Sequence, residues 1–316
     1  MPLHIVSGNI TKIKCDAVVN PTNIFLDPTG GVDWDIQIAA GDELYAERAK
    51  IGTLSIGHAA ITNAFNMNCK KIIHVCSPIW KDGWHGEDIL LASCYTESLK
   101  LADENHLRYV AFPLIAGGVN GFPDKKAFSI AKVAIQNYIN ANSDIVVYLI
   151  IYDKSDIDIN EMLKLDVAKY VASNLLHDKK SARPLDKETV CLSKKMVSFP
   201  SDNDLEKGFS DKLIELLNEK EMSNVECYKR ANMDKKLFSK IICGSLPKKR
   251  NVLALCIALK LNLDEAKTLL NCAGYSLSHC FKLDLVVEYF IINNKYDIFE
   301  LNEVLFDNDL PLLGSI

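Results

Sequence analysis

Asn20 and Asn23 stand thirteen and ten residues ahead of Asp33, with Gly30-Gly31-Val32 between. Carboxamides can fix sugar hydroxyls, and a carboxylate beside them can orient a water or take its proton. Glycines let backbone amides approach an anion closely, because no Cβ blocks the way. The plain alternative is a strand-to-helix turn built from ordinary turn residues. A second run, Ala116-Gly117-Gly118-Val119-Asn120-Gly121-Phe122-Pro123, again places several amides ahead of a helix, as a diphosphate cradle requires.

Both runs need a scaffold that brings them to one edge. Short apolar stretches at 4–6, 16–19, 58–62, 71–75, 109–114 and 145–152 read as strands, and amphipathic stretches at 33–49, 87–105, 124–141 and 159–176 as helices between them. This alternation implies an α/β sandwich with a largely parallel sheet. Ligands sit beyond the carboxyl ends of strands in such sheets, where both glycine runs fall. A nucleotide site follows. His74, inside an apolar strand, reads as a satisfied core histidine; His4, His58 and His85 are too dispersed to imply a metal. Trp34 reads as a packing residue, or as a wall that narrows one end of the site.

At 316 residues with net charge −5, the chain suits two domains and carries no general affinity for nucleic acid. No apolar run reaches membrane-spanning length, and no basic-then-apolar leader precedes the first strand. Ten scattered cysteines without a Cys-x-x-Cys pair indicate a reducing compartment and no zinc site. A cytoplasmic location is expected, with no membrane partner.

Gly8-Asn9-Ile10-Thr11, Asn20-Pro21-Thr22-Asn23, Gly30-Gly31-Val32-Asp33, Ala39-Ala40-Gly41, Ile61-Thr62-Asn63, the run from Ile73 to Trp80 and the Ala116–Pro123 loop together resemble a macrodomain over about 1–155. The likeness is to the MacroD-type and bacterial branch. It implies a three-layer α/β/α fold, binding of ADP-ribose or an ADP-ribosylated substrate, and hydrolysis of ADP-ribosyl esters or O-acetyl-ADP-ribose. No metal or cofactor is implied. By the same resemblance Asn9 and Ile10 meet the adenine and Tyr152 stacks on it. Asn20, Gly30, Gly31, Val32, Ala116, Gly117, Gly118, Val119, Asn120, Gly121 and Phe122 form the rest of the binding wall. Asn23 and Asp33 are the expected catalytic pair, holding the distal ribose and a water. Four departures stand out: Asn9 for the usual aspartate, Pro28-Thr29 in a shortened glycine run, Gln37 for a histidine and Asn120 for an aromatic.

After this domain, taken as 1–176, residues 177–205 gain charge and proline and read as a linker. From 206 to 316 the pattern is all-helical. The order of short helices resembles a repressor-type helix-turn-helix over 206–275, which places a recognition helix at Asp234–Lys240. Lys235, Lys236 and Lys240 are the expected DNA contacts; docking of a protein partner, or service as an oligomerising helical module, is the rival use. An acidic segment, 283–305, is expected to pack on the preceding helices or to form a dimer interface. The alternative to hydrolysis is a non-catalytic sensor, in which a bound nucleotide controls DNA or partner binding.

Overall fold

The computed structural model describes residues 3–141, 144–151, 161–180 and 208–314. The chain forms two compact units, one built from Met1–Ile159 and the other from Asn160–Ser315. Tyr152 and most of the expected linker lie outside the described residues.

The first unit carries β1 (Leu3–Ser7), β2 (Ala17–Thr22), β3 (Ala59–Asn63), β4 (Lys71–Cys76), β5 (Tyr109–Pro113) and β6 (Val146–Ile151). They make one sheet in the order β1-β6-β5-β2-β4-β3. Every pairing is parallel except that of β3, which runs antiparallel to β4 at the edge. The inner strands are continuous apolar runs because both faces are covered: Ala17, Val18, Val19, Ile72, Ile73, Val110, Ala111 and Phe112 are all buried. α1 (Gly31–Ala40), α2 (Asp42–Ile51), α3 (Glu87–Glu104) and α4 (Asp124–Ala141) supply the covering layers. Ile36, Ala40 and Leu44 pack with Val18 and Ile72 in one apolar cluster.

The single helix expected over 33–49 is two helices. Gly41 breaks it at φ 95°, ψ −178°, and its N–H donates back to the Gln37 carbonyl. That backbone angle is what requires glycine here, since the atom a Cβ would crowd, Nδ2 of Asn66 at 2.7 Å, ends an exposed side chain that can move aside.

The second unit is helical: α5 (Glu161–Lys180), α6 (Phe209–Glu219), α7 (Asn224–Arg230), α8 (Lys235–Ile242), α9 (Lys249–Ala258), α10 (Leu263–Cys272), α11 (Lys282–Ile292) and α12 (Ile298–Asp307). α9 is buried from Asn251 to Ala258, and α7, α10 and α12 pack against it. Starts are set by side-chain caps: Ser223 for α7, Asp234 for α8, Asn262 with Glu265 in a capping box for α10, and Asp297 for α12. Two expectations differ here. The helix read as the end of the first domain, 159–176, is α5; it buries Leu163 and Val167 and meets α11, with the rings of Tyr170 and Tyr289 edge to face at 5.4 Å. The segment 283–305 is broken into α11 and α12 at Asn294, which takes φ 54°. The very apolar α11 thus finds its cover within the unit. No helix among the described residues is long and apolar enough to cross a membrane.

Candidate functional site

Two adjoining cavities open at the carboxyl ends of the parallel strands. The first, of 370 Å³, is walled by Gly8, Asn9, Ile10, Asp35, Gly117 and Asp124. The second, of 450 Å³, is walled by Asn23, Gly30, Asp33, Ile56, Ile79 and Asn120, among others. Val32, Leu114 and Gly118 line both, so the two glycine runs meet at the junction. α1 starts there with Gly30 at its N-cap and no side chain bonded to its first amides. Those amides and the helix dipole favour an anion.

The expected site residues divide. Asn9, Ile10, Gly117 and Gly118 wall the first cavity. Asn23, Gly30, Gly31, Val32, Asp33, Ala116, Gly118, Val119 and Asn120 wall the second. Gly121 instead closes a turn, its N–H donating to the Gly118 carbonyl at 3.0 Å. Phe122 is buried against Trp80, ring centroids 4.7 Å apart. Asn20 is buried beneath the cleft. Trp34 is half exposed and fills no core position.

Several polar side chains expected to face a ligand are engaged by the protein. Asn9 Oδ1 accepts from the Thr11 amide (2.9 Å) and hydroxyl (2.7 Å), capping the short 3-10 turn Ile10–Lys12. Asn23 Nδ2 donates to the Asp27 carbonyl, and its Oδ1 accepts from the Phe25 and Asp27 amides, so both ends of the amide close its own loop. Asn120 Nδ2 donates to Ser77 Oγ at 2.6 Å and to the Pro78 carbonyl at 3.1 Å, tying the second glycine run to the segment after β4.

Asp33 is the most constrained. Its Oδ1 accepts from Asn20 Nδ2 (2.6 Å) and Arg48 Nη1 (2.7 Å), its Oδ2 from Thr22 Oγ1 (3.0 Å) and Arg48 Nη2 (3.1 Å). Arg48 and Asp33 are only 1% and 4% exposed, so this is a buried ion pair. An ionised carboxylate has about four lone-pair sites, and four donors already occupy them. A water or sugar hydroxyl can donate to Asp33 only by displacing a partner. The water expected beside Asp33 therefore competes with four protein donors.

The network continues inward. Asn20 Nδ2 lies 3.1 Å from His74 Nδ1, and His74 Nε2 lies 2.9 Å from Thr62 Oγ1, which itself donates to the Asn63 carbonyl. Because the carboxylate can only accept, the Asn20 amide nitrogen must face it and also donate to Nδ1. His74 therefore carries its proton on Nε2, a tautomer assigned from these partners. Burial, reinforced by the Arg48 charge, lowers the His74 pKa to about 3. His74 is the satisfied core histidine expected.

Arg48 was not legible as a site residue. Its one sequence signal is position: it follows Leu44 by a helical turn on the face that α2 buries. Gln37 lies at its other side, accepting weakly from Nη1 at 3.5 Å while donating to the Gly41 carbonyl.

In the second unit Lys235, Lys236 and Lys240 lie on α8, and all three are exposed, as is neighbouring Ser239. The turn into α8 runs through buried Ala231, Asn232 and Met233.

The family model described as Macro domain matches residues 19–131. A macro domain-containing protein of Caldanaerobacter subterraneus subsp. tengcongensis is 42% identical over 161 residues, covering 50% of this chain and 92% of the relative. A protein of Escherichia fergusonii named O-acetyl-ADP-ribose deacetylase is 39% identical over 159 residues, covering 49% of this chain and 90% of its own length. A solved Oceanobacillus iheyensis macrodomain with ADP aligns at TM-score 0.47 with 34% identity, over 49% of this chain and 85% of that one. On the strength of the sequence relatives, which the first unit matches over nearly their whole length, the chain belongs to the macro domain family through its N-terminal half.

Proposed function

We propose that the N-terminal unit is a binding site for ADP-ribose, free or attached to protein. The observation that carries this reading is the two-chambered cleft whose waist is formed by both glycine runs and the uncapped start of α1. A nucleoside in the chamber of Asn9 and Ile10 would leave its diphosphate at that waist, against the amides of Gly31, Val32, Gly117 and Gly118. The distal ribose would then occupy the chamber of Asp33 and Asn120. Gly118 tests the assignment, since a Cβ there meets nothing within 4 Å and a longer side chain would enter the cleft without disturbing the fold. Titration calorimetry should give ADP-ribose binding by the wild type and a loss of at least about tenfold for Gly118→Glu, which adds bulk and like charge at the diphosphate. Unchanged affinity would refute the placement.

Ester hydrolysis is the second reading, favoured by the relative named O-acetyl-ADP-ribose deacetylase. In it, a water held between Asp33 and a ligand phosphate attacks the distal ribose ester. Release of ADP-ribose from O-acetyl-ADP-ribose by the wild type decides between binding alone and turnover.

For the C-terminal unit, the lysines of α8 favour binding to nucleic-acid phosphate, which would make the chain a nucleotide-responsive DNA binder. Replacing Lys235, Lys236 and Lys240 with glutamine should lower the slope of log affinity against log salt by roughly 0.9 for each phosphate no longer neutralised. A salt-insensitive full-length chain would leave protein docking as the use of this face.

A further inference from the structure

Asp33 lines the distal chamber, yet every lone pair it could offer there is taken. Two of the four donors come from a single residue, Arg48, which reaches it from α2 and is itself 1% exposed. Thr22 cannot turn away freely, since its hydroxyl donates to Asp33 and also accepts from Arg48 Nη2 at 2.8 Å. Asn20 is held in place by His74 and, through it, by Thr62. Arg48 is therefore the one partner whose removal frees a lone pair on each carboxylate oxygen while the rest of the frame stays in position.

We propose that Arg48 makes this cleft one that binds ADP-ribose esters without hydrolysing them, and that its removal exposes a latent hydrolytic activity. The inference rests on the reading that the cleft takes ADP-ribose. With Arg48 gone, a water in the distal chamber can donate to Asp33. As the water oxygen adds to the ester carbonyl carbon, its proton passes to Asp33. The bond between the acyl carbon and the ribose oxygen then breaks, the ribose oxygen takes the proton, and acetate and ADP-ribose leave. One water is consumed and nothing is oxidised or reduced. In the native chain Arg48 is a positioning residue acting through Asp33.

The test compares wild type, Asp33→Asn, Arg48→Met, Arg48→Lys and the double variant Arg48→Met, Asp33→Asn, in the full chain. Single-turnover release of ADP-ribose from O-acetyl-ADP-ribose is followed by chromatography, and ADP-ribose affinity by calorimetry. Arg48→Met should exceed the wild type by at least about tenfold, a conservative share of the 10²–10⁴-fold typical of a positioned base. Adding Asp33→Asn should return the rate to that of the wild type, which a merely loosened structure would not do. Arg48→Lys keeps the charge but lacks the two-pronged reach, so it should show a smaller gain of roughly threefold and guards against misfolding of the methionine variant. A folded Arg48→Met chain that binds ADP-ribose and turns over no faster overturns the proposal. So does a wild type that already hydrolyses the ester at a rate that Asp33→Asn removes. Absence of ADP-ribose binding in the wild type instead removes the reading of the cleft, and the proposal with it.

Discussion

Two buried neutral histidines should make the N-terminal unit acid-labile well above the usual carboxylate range. Burial lowers the His4 pKa from 6.5 to about 4, and burial with the Arg48 charge lowers that of His74 from 6.5 to about 3. The folded state then binds fewer protons than the unfolded one below pH 6.5, so stability is complete above that value and falls as pH drops toward the folded pKa. Between pH 7 and pH 5 each histidine costs about 2 kcal/mol, the pair about 4, a large part of an ordinary domain's stability. Asp16 and Glu87 work in a lower window. Burial opposes their ionisation, but Lys70 and backbone amides for Asp16, and backbone amides for Glu87, outweigh it and hold both pKa values down. Their contribution is lost only as pH falls below the ordinary carboxylate values. Urea unfolding followed by tryptophan fluorescence isolates the effect, because Trp34, Trp80 and Trp84 all lie in the first unit. His4→Phe supplies the control, keeping the ring that stacks on Tyr148 at 5.5 Å while removing the titration. The variant should lose only about half as much stability as the wild type between pH 7 and pH 5. Parallel losses, or a wild type indifferent to this range, would refute the reasoning.

Gly30 takes φ 128°, ψ 179° at the N-cap of α1, a conformation nearly closed to other residues, so Gly30→Ala should cost about 1–3 kcal/mol in urea unfolding and weaken ADP-ribose binding together. Asn20→Ala leaves Asp33 and His74 each short of a buried donor and should cost about 2–4 kcal/mol, whereas Asn23→Ala only loosens an exposed loop and should cost under about 1 kcal/mol. Equal losses for the two would contradict the network. In the second unit Asp234→Ala removes the cap of α8 and should lower stability by about 1 kcal/mol, read by circular dichroism.

The sheet and the helical half were legible because their signals are periodic and local. Val18-Val19, Ile72-Ile73 and the 146–151 run are apolar on both faces, and Ser223, Asp234 and Asn262 stand where caps must stand. The glycine runs were legible for a similar reason, since an amide-lined loop before a helix needs small residues in sequence. Side-chain partnership across the fold was not. Asn20 and Asn23 are chemically alike and three residues apart, but β2 is buried through Asn20 and ends at Thr22, so one lies inside the sheet and the other in the following loop. Arg48 belongs to no motif, and only the third dimension sets it against Asp33.

These partnerships change what the cleft can recognise with. Asn9 is engaged by Thr11, Asn23 by its own loop, Asn120 by Ser77 and Pro78, and Asp33 by Asn20, Thr22 and Arg48. The side chains expected to meet a ligand instead fix the positions of the loops that carry them. On the proposed reading of the cleft, recognition of the diphosphate would then fall to backbone amides, at the start of α1 and along Gly117 to Val119. Such donors carry no rotamer entropy to lose on binding, and the engaged side chains keep them aimed. A cleft built this way is suited to holding a diphosphate firmly, and it has few free groups with which to do chemistry on what it holds.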